Sequence, residues 1–213
     1  MKCFFKSTVL ITTFILVITG CSSGGSVKIE NINIPTPLLT PLPINIFARY
    51  PDNFDQLIHE EKIIGKEEWS IDLTNSNRQL FTQLFSSIFS EFTLSENDAN
   101  LDNIEFDALI EPSIDAIEVS VPSQSQADEF AVWIRYRVKI FNKDGSLLGN
   151  WPIAAYGKSK SSSFGSDLAL KYAAELAMRD AAALLILQIN KTSIFETIAK
   201  QKLLNKNQLN ENQ

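Results

Sequence analysis

The chain has few of the residues on which most enzymatic sites depend. Its 213 residues include two cysteines, Cys3 and Cys21, and one histidine, His59, which lies beside Glu60 and Glu61. A single histidine excludes the HExxH zinc motif, and the phosphate-binding patterns GxGxxG and GxxxxGK[ST] are also missing. We interpret His59 as a surface residue in a charged loop, with a hydrolase centred on it as a lesser alternative. The sequence therefore predicts no catalytic residue, no metal and no cofactor.

Positive charge is also scarce. The chain has 19 Lys and Arg against 25 Asp and Glu, which gives a formal net charge of −6. Nucleic-acid binding requires a basic footprint, so we expect no nucleic-acid partner. An acidic chain also has no general electrostatic attraction to an anionic membrane, so any membrane attachment needs another source.

The amino terminus has the three zones of an export signal. Lys2 and Lys6 are followed by the uncharged stretch STVLITTFILVIT at residues 7–19, and then by small residues. The apolar stretch is shorter than the roughly 20 residues that a membrane span needs. This pattern predicts a signal peptide over residues 1–20 that is removed in the mature protein.

The residues Ile18-Thr19-Gly20-Cys21 resemble the lipobox of bacterial lipoproteins, with Ile18 in the position where that family usually has leucine. The resemblance implies that Cys21 receives a diacylglyceryl group and becomes the acylated first residue. Ser22 resembles the signal that sorts lipoproteins to the outer membrane. The alternative is an ordinary secretory signal that leaves a free thiol, which is unfavourable in an oxidising compartment.

Cleavage would remove two lysines and no acid, so the net charge would fall to −8. Residues 21–43 would then form a lipid anchor and a tether rich in Ser, Gly and Pro, with extended backbone around PTPLLTPLP. We expect one α+β domain over residues 44–190. A short helix and a polar tail follow at 191–213.

Hydrophobic periodicity outlines that domain. Alternation at period two predicts strands near 44–50, 69–73, 106–121 and 130–141, and an Asp-Gly turn predicts a hairpin partner for the last of them. Helical periodicity predicts a phenylalanine-rich helix through residues 80–92 and an alanine-rich helix at 167–189. We expect an α+β fold with a mostly antiparallel sheet of about four to five strands and two main helices packed on one face.

Two surfaces have alternative interpretations. Phe81, Phe85 and Phe89 either pack onto the sheet or line an apolar groove for a lipid or a glycan. On the strand at 130–141, four residues share one face: Trp133, Arg135, Arg137 and Lys139. The strand before it carries acids at Asp107, Glu111, Asp115 and Glu118. The bases either pair with these acids and fix the register of the sheet, or form with Trp133 a docking surface for an anionic partner.

The layout of the domain resembles the small periplasmic α+β lipoproteins that assist envelope machines, such as those of lipopolysaccharide assembly and of secretion. That resemblance implies a non-enzymatic lipoprotein that is anchored in the outer membrane and faces the periplasm. It would be an accessory or structural subunit of an envelope assembly, transport or secretion complex, with a protein partner. The alternative is a carrier of lipids or glycans that uses the apolar groove.

Overall fold

The structure is a computed structural model, and it describes residues 23–34, 40–51, 54, 56–64, 66–94, 104–125, 127–161 and 165–211. The predicted signal peptide, the lipidation residue Cys21 and the sorting residue Ser22 lie outside the described residues. Among the described helices, none combines the length and the apolar character that crossing a bilayer requires.

Two sheets and four helices make up the described part of the chain. In chain order the elements are β1 (Ser23–Lys28), β2 (Leu42–Ala48), β3 (Ile58–Ile63), β4 (Glu67–Asp72), α1 (Ser76–Ile88), β5 (Phe89–Leu94), β6 (Ala108–Ser120), α2 (Pro122–Ser125), β7 (Glu129–Phe141), β8 (Leu147–Lys160), α3 (Ser166–Lys191) and α4 (Ile194–Glu211). The predicted α+β class is confirmed.

The larger sheet has five strands in the order β5-β2-β6-β7-β8. β6, β7 and β8 form an antiparallel meander, whereas β2 pairs in parallel with both β5 and β6. The prediction of a mostly antiparallel sheet is therefore wrong, because both sheets are mixed. The chain between β2 and β5 passes through β3, β4 and α1, and β5 then runs in the same direction as β2. Two parallel strands need such a crossover connection, since a short hairpin can join only antiparallel strands.

The smaller sheet has the order β1-β4-β3 and begins inside the predicted tether. β1 pairs in parallel with β4, and Val27, Ile29 and Ile32 are buried. The tether predicted over residues 21–43 is thus wrong for residues 23–32, and the folded part begins before the predicted boundary at 44. Gly24 lies within the predicted tether, but a Cβ there would lie 2.0 Å from the carbonyl oxygen of Glu68. This glycine permits a close approach of two strands.

The core lies against one face of the five-stranded sheet. The inward row of β7 is Val132, Ile134, Tyr136, Val138 and Ile140, each at most 1% exposed, as the alternation predicted. The Phe81 ring of α1 contacts the Tyr136 ring edge-on, with centroids 5.4 Å apart. The alanine-rich face of α3 packs closely enough on β8 that a Cβ at Gly157 would meet the helix backbone. Small residues on both sides allow this approach.

The carboxyl-terminal region is helical for longer than predicted. Where a short helix and a polar tail were expected at 191–213, α4 covers Ile194–Glu211. Phe195 is buried against Phe89 and Trp151, with ring centroids 5.1 and 6.0 Å apart. The first turns of α4 therefore belong to the core of the domain.

Candidate docking site

We call the side of β6, β7 and β8 that faces away from α1 and α3 the outer face. The alternation of β7 places Trp133, Arg135, Arg137 and Lys139 on it, because their neighbours in sequence point to the core. The structure therefore brings the four predicted docking residues together in one row. The partners of this row lie on β6 and β8, whose registers with β7 are fixed by two antiparallel ladders.

Trp133 forms an exposed aromatic pair with Tyr156. The two residues are cross-strand partners of β7 and β8, and their ring centroids are 5.0 Å apart at an interplanar angle of 42°. Trp133 is 42% exposed and Tyr156 is 40% exposed. Tyr156 was not among the predicted docking residues. Counting back from the Asp144-Gly145 turn would have paired it with Trp133, since the turn sets the register of a hairpin.

A small pocket lies beside this pair. It measures about 140 Å³ and is lined by Trp133 and Arg135 together with Ala116, Ala154 and Glu118. Ala116 and Ala154 are the cross-strand neighbours of Arg135 on either side. Because both are alanines, the space between the tryptophan and the arginine is not filled. The pocket has room for one apolar side chain, and the indole ring of Trp133 and the guanidinium group of Arg135 border it.

Arg137 is the most firmly paired cation of the outer face. Its guanidinium donates to both carboxylate oxygens of Asp115, at 3.2 and 2.5 Å, and to the amide oxygen of Asn150 at 3.2 Å. The hydrogen bond to Asp115 raises the pKa of Arg137 above its ordinary value. This residue thus fits the interpretation in which acids and bases on neighbouring strands support the register.

Arg135 and Lys139 are held less firmly. The guanidinium of Arg135 is 3.8 Å from the carboxylate of Glu118, and both side chains are more than half exposed. Lys139 lies opposite Glu111, but Glu111 accepts hydrogen bonds from Arg49, at 2.6 Å from Nε and also from Nη2. Within the described ranges, no ion pair of Lys139 is present. These two cations are therefore the ones that can pair with an anionic partner at little cost.

A second depression lies at the open edge of β6. β2 accompanies β6 only as far as Ile110, and the register with β7 shifts between Ile114 and Ala116. A groove of about 270 Å³ follows, in which this bulged segment faces Leu57, Ile58 and His59. Bulges often occur beside functional sites, but the described residues that line this groove form no catalytic arrangement.

His59, Ser113 and Asp115 all line this groove, but the described side chains do not form a Ser-His-acid arrangement. His59 lies on β3 and not in the predicted loop, opposite Ile71, and its Nε2 is 3.7 Å from Glu61. The Ser113 hydroxyl donates to the carbonyl oxygen of Arg137, and Asp115 binds the Arg137 guanidinium, so neither residue orients the imidazole. In the part of the chain that the structure describes, no group of three or more His, Cys, Asp or Glu side chains is placed to hold a metal ion.

The predicted apolar groove is closed where it was expected. Phe81, Phe85 and Phe89 are each at most 2% exposed, and consecutive rings along this row contact one another at 5.6 and 6.2 Å. Phe54 covers one end of the row and Phe195 covers the other. These three phenylalanines form core packing, so they do not offer a surface to a lipid or a glycan.

Comparisons with known proteins give only remote likeness. No protein-family model matches the chain, and no curated protein matches it. A protein assigned as a lipoprotein from Caulobacter crescentus aligns at 13% identity over 61% of this chain and 81% of its own, with a TM-score of 0.35. A protein assigned as a neuraminyllactose-binding hemagglutinin homolog from Helicobacter pylori aligns at 11% identity over 81% and 98%, with a TM-score of 0.40.

A lipoprotein from Neisseria meningitidis aligns at 12% identity over 70% of this chain and all of its own, with a TM-score of 0.33. At such low scores and identities, none of these alignments transfers a function, a ligand or a location to this chain.

Proposed function

We propose that this chain is a lipid-anchored protein of a bacterial outer membrane that docks a protein partner in the periplasm through its outer face. It acts as an accessory or structural subunit of an envelope complex and carries out no reaction itself. The observation that carries the docking role is the exposed Trp133–Tyr156 pair beside the alanine-lined pocket. The anchoring role rests on the lipobox resemblance at Cys21.

Burial of apolar surface favours association at this place. Two large aromatic rings stand exposed next to each other on a rigid, paired sheet, and covering them removes apolar surface from water without a change in the backbone. Tryptophan, tyrosine and arginine are the residue types that contribute most to hot spots of protein interfaces. The pocket beside the pair gives such an interface a point at which one side chain of the partner is buried.

Charge indicates the chemistry of the partner. Arg135 is bound to Glu118 only loosely, and Lys139 lies further along the same row. An acidic segment can pair with these two cations without breaking the firm Arg137–Asp115 contact. We therefore propose a partner segment with one aliphatic or aromatic side chain for the pocket, followed by carboxylates in the direction of Arg135 and Lys139.

Affinity purification of the lipidated protein from native membranes tests the docking role. We expect Trp133→Ala to weaken partner recovery at least tenfold, because truncation of a central aromatic residue in an interface costs about 2 kcal/mol or more. Arg135→Ala should weaken recovery less, and the loss should shrink as salt is raised. Arg179→Ala, an exposed arginine on α3, is the matched control and should leave recovery unchanged.

Melting temperatures separate docking from folding. Trp133 and Arg135 are both exposed, so their replacement should change the melting temperature little. If instead Trp133→Ala lowers the melting temperature and leaves partner recovery unchanged, the residue serves only the sheet and the docking proposal is wrong.

A further inference from the structure

The start of β1 restricts where the domain lies relative to a membrane. Ser23 is the first residue of β1, and it pairs with Glu67 at the beginning of β4. Cys21 precedes Ser23 by two residues, so the fully extended chain can separate their Cα atoms by no more than about 7 Å. A lipid on Cys21 would therefore hold the end of the small sheet close to the bilayer surface.

The turn between β3 and β4 lies at the same end of that sheet. Ile63, the last residue of β3, also pairs with Glu67, so Ser23, Glu67 and Ile63 form one row across three strands. Neighbouring strands are about 4.8 Å apart, which puts Ile63 about 10 Å from Ser23. The turn that follows, closed by the bond from the Lys66 amide to the Ile63 carbonyl at 3.0 Å, thus lies beside the anchor.

The side chains of this turn suit a membrane interface. Ile64 is 98% exposed, more than any other large exposed hydrophobic residue in the described part of the chain. Lys62 and Lys66 lie on either side of it and are exposed as well. An apolar side chain between two lysines can enter the acyl region while the lysine stems extend to the headgroups. Single exposed isoleucines are common on protein surfaces and do not by themselves indicate a function. The position of Ile64 beside the lipid attachment point is what indicates a membrane contact.

We propose that the β3–β4 turn is a second membrane contact, in which Ile64 inserts into the bilayer next to the lipid on Cys21. The inference rests on the lipid anchor of the proposed function. Lys62 is ion-paired with Glu60 and Glu68, each at 3.0 Å, and Glu67 is adjacent to Lys66 in sequence. These acids offset the two lysines, so insertion depends on the apolar side chain and not on anionic lipid. Two contacts fix the orientation of the domain, which a flexible tether would leave free to rotate.

Site-specific quenching tests this contact in the full lipidated chain. Cys21 is consumed by lipid and Cys3 is removed with the signal, so Ile64→Cys introduces one thiol for an environment-sensitive fluorophore. The labelled protein is reconstituted into phosphatidylcholine vesicles that carry a nitroxide quencher in the acyl region. Ile58→Cys is the matched control, because Ile58 is also exposed and lies at the opposite end of β3, paired with Asp72.

We expect quenching at residue 64 to exceed that at residue 58 by about threefold or more, with the same result in vesicles that contain phosphatidylglycerol. Equal quenching at both residues, in protein that floats with the vesicles, would overturn the membrane contact and leave the anchor in place. If the chain does not float, or if Cys21→Ser floats equally well, the anchor itself is wrong and the contact falls with it.

Discussion

Replacement of Gly157 by alanine tests the helix packing that distinguishes the inner face of the sheet from the outer face. Gly157 lies on β8 opposite Val132 and contacts α3 on the inner side of the sheet. A Cβ at this position would be 2.1 Å from the carbonyl oxygen of Ala173 and 2.4 Å from the backbone nitrogen of Ala177. Ordinary contact begins near 3.4 Å, so the helix would have to move away by about 1.3 Å.

Backbone atoms cannot rotate out of the way as a side chain can. Overpacking of a core typically costs 1–3 kcal/mol, and we expect the Gly157→Ala change to fall at the upper end, about 3 kcal/mol. For a domain of this size that corresponds to a fall in melting temperature of roughly 6–12 °C.

Urea unfolding followed by circular dichroism measures this loss, with Gly149→Ala as the matched control. Gly149 lies on the same strand, but a Cβ there would meet only side-chain atoms at 3.0–3.2 Å, of Ile194, Ile140 and Trp151. These can shift by a few tenths of an ångström, so we expect a change below about 1 kcal/mol. If Gly157→Ala is as mild as Gly149→Ala, α3 does not pack on β8 as described, and the assignment of an inner and an outer face fails.

Three other changes have defined outcomes. Tyr136→Phe removes the hydrogen bond that the Tyr136 hydroxyl donates to Asn77 Oδ1 at 2.8 Å and leaves that buried amide oxygen unpaired. The free energy of unfolding, measured in urea, should fall by about 1–3 kcal/mol, and an unchanged midpoint would contradict this. Burial raises the pKa of the Tyr136 hydroxyl above the value near 10 that it has in the unfolded chain. The contribution of this group to stability is therefore constant below about pH 10 and falls as the pH rises above that value. The loss of stability at alkaline pH should be less steep in Tyr136→Phe. Phe81→Ala should cost about 3–5 kcal/mol, whereas a nearly neutral effect would indicate an open groove at this residue. In the lipoproteins that this chain resembles, aspartate after the lipidated cysteine marks inner-membrane retention. Ser22→Asp should therefore move the protein from the outer to the inner membrane fraction, and an unchanged distribution would refute the sorting role.

The elements that the sequence predicted well are those whose pattern is set by burial on one side. The alternation through β7 identified both the inward row that ends at Ile140 and the outward row that begins at Trp133, because one face of this strand is buried along its length. β3 was not predicted because neither of its faces is buried: its residues alternate between exposed and intermediate. Such a strand has no apolar row, and polar residues such as His59 and Lys62 then suggest a charged loop.

Long-range pairing could not be obtained from local pattern. The parallel contacts of β2 with β5 and β6 join residues more than 40 positions apart, and no periodicity encodes such a partner. The tether prediction failed at Gly24 and Gly25 for a related reason. Glycine serves equally for flexibility and for close approach, and only the neighbouring strand β4 decides between them.

Much of the candidate site could be predicted because it depends on a hairpin. The Asp144-Gly145 turn indicated β8. In the structure, hydrogen bonds from the Ser146 side chain and from the Ser146 amide, the latter at 2.8 Å, lower the pKa of the Asp144 carboxyl. Once the register is known, Tyr156 follows as the partner of Trp133. The pocket could not be foreseen, because it depends on Ala116, whose place opposite Arg135 results from the register shift in β6.

Photo-crosslinking from residue 156 in native membranes tests the docking claim most directly. A photoreactive amino acid replaces Tyr156 in the lipidated protein, and a second protein carries it at Leu187, an exposed residue of α3. We predict a discrete adduct from residue 156 alone, lost in Trp133→Ala, in which the crosslinked segment of the partner holds an apolar residue next to carboxylates. Adducts that are the same from both residues, or that persist in Trp133→Ala, would contradict the account.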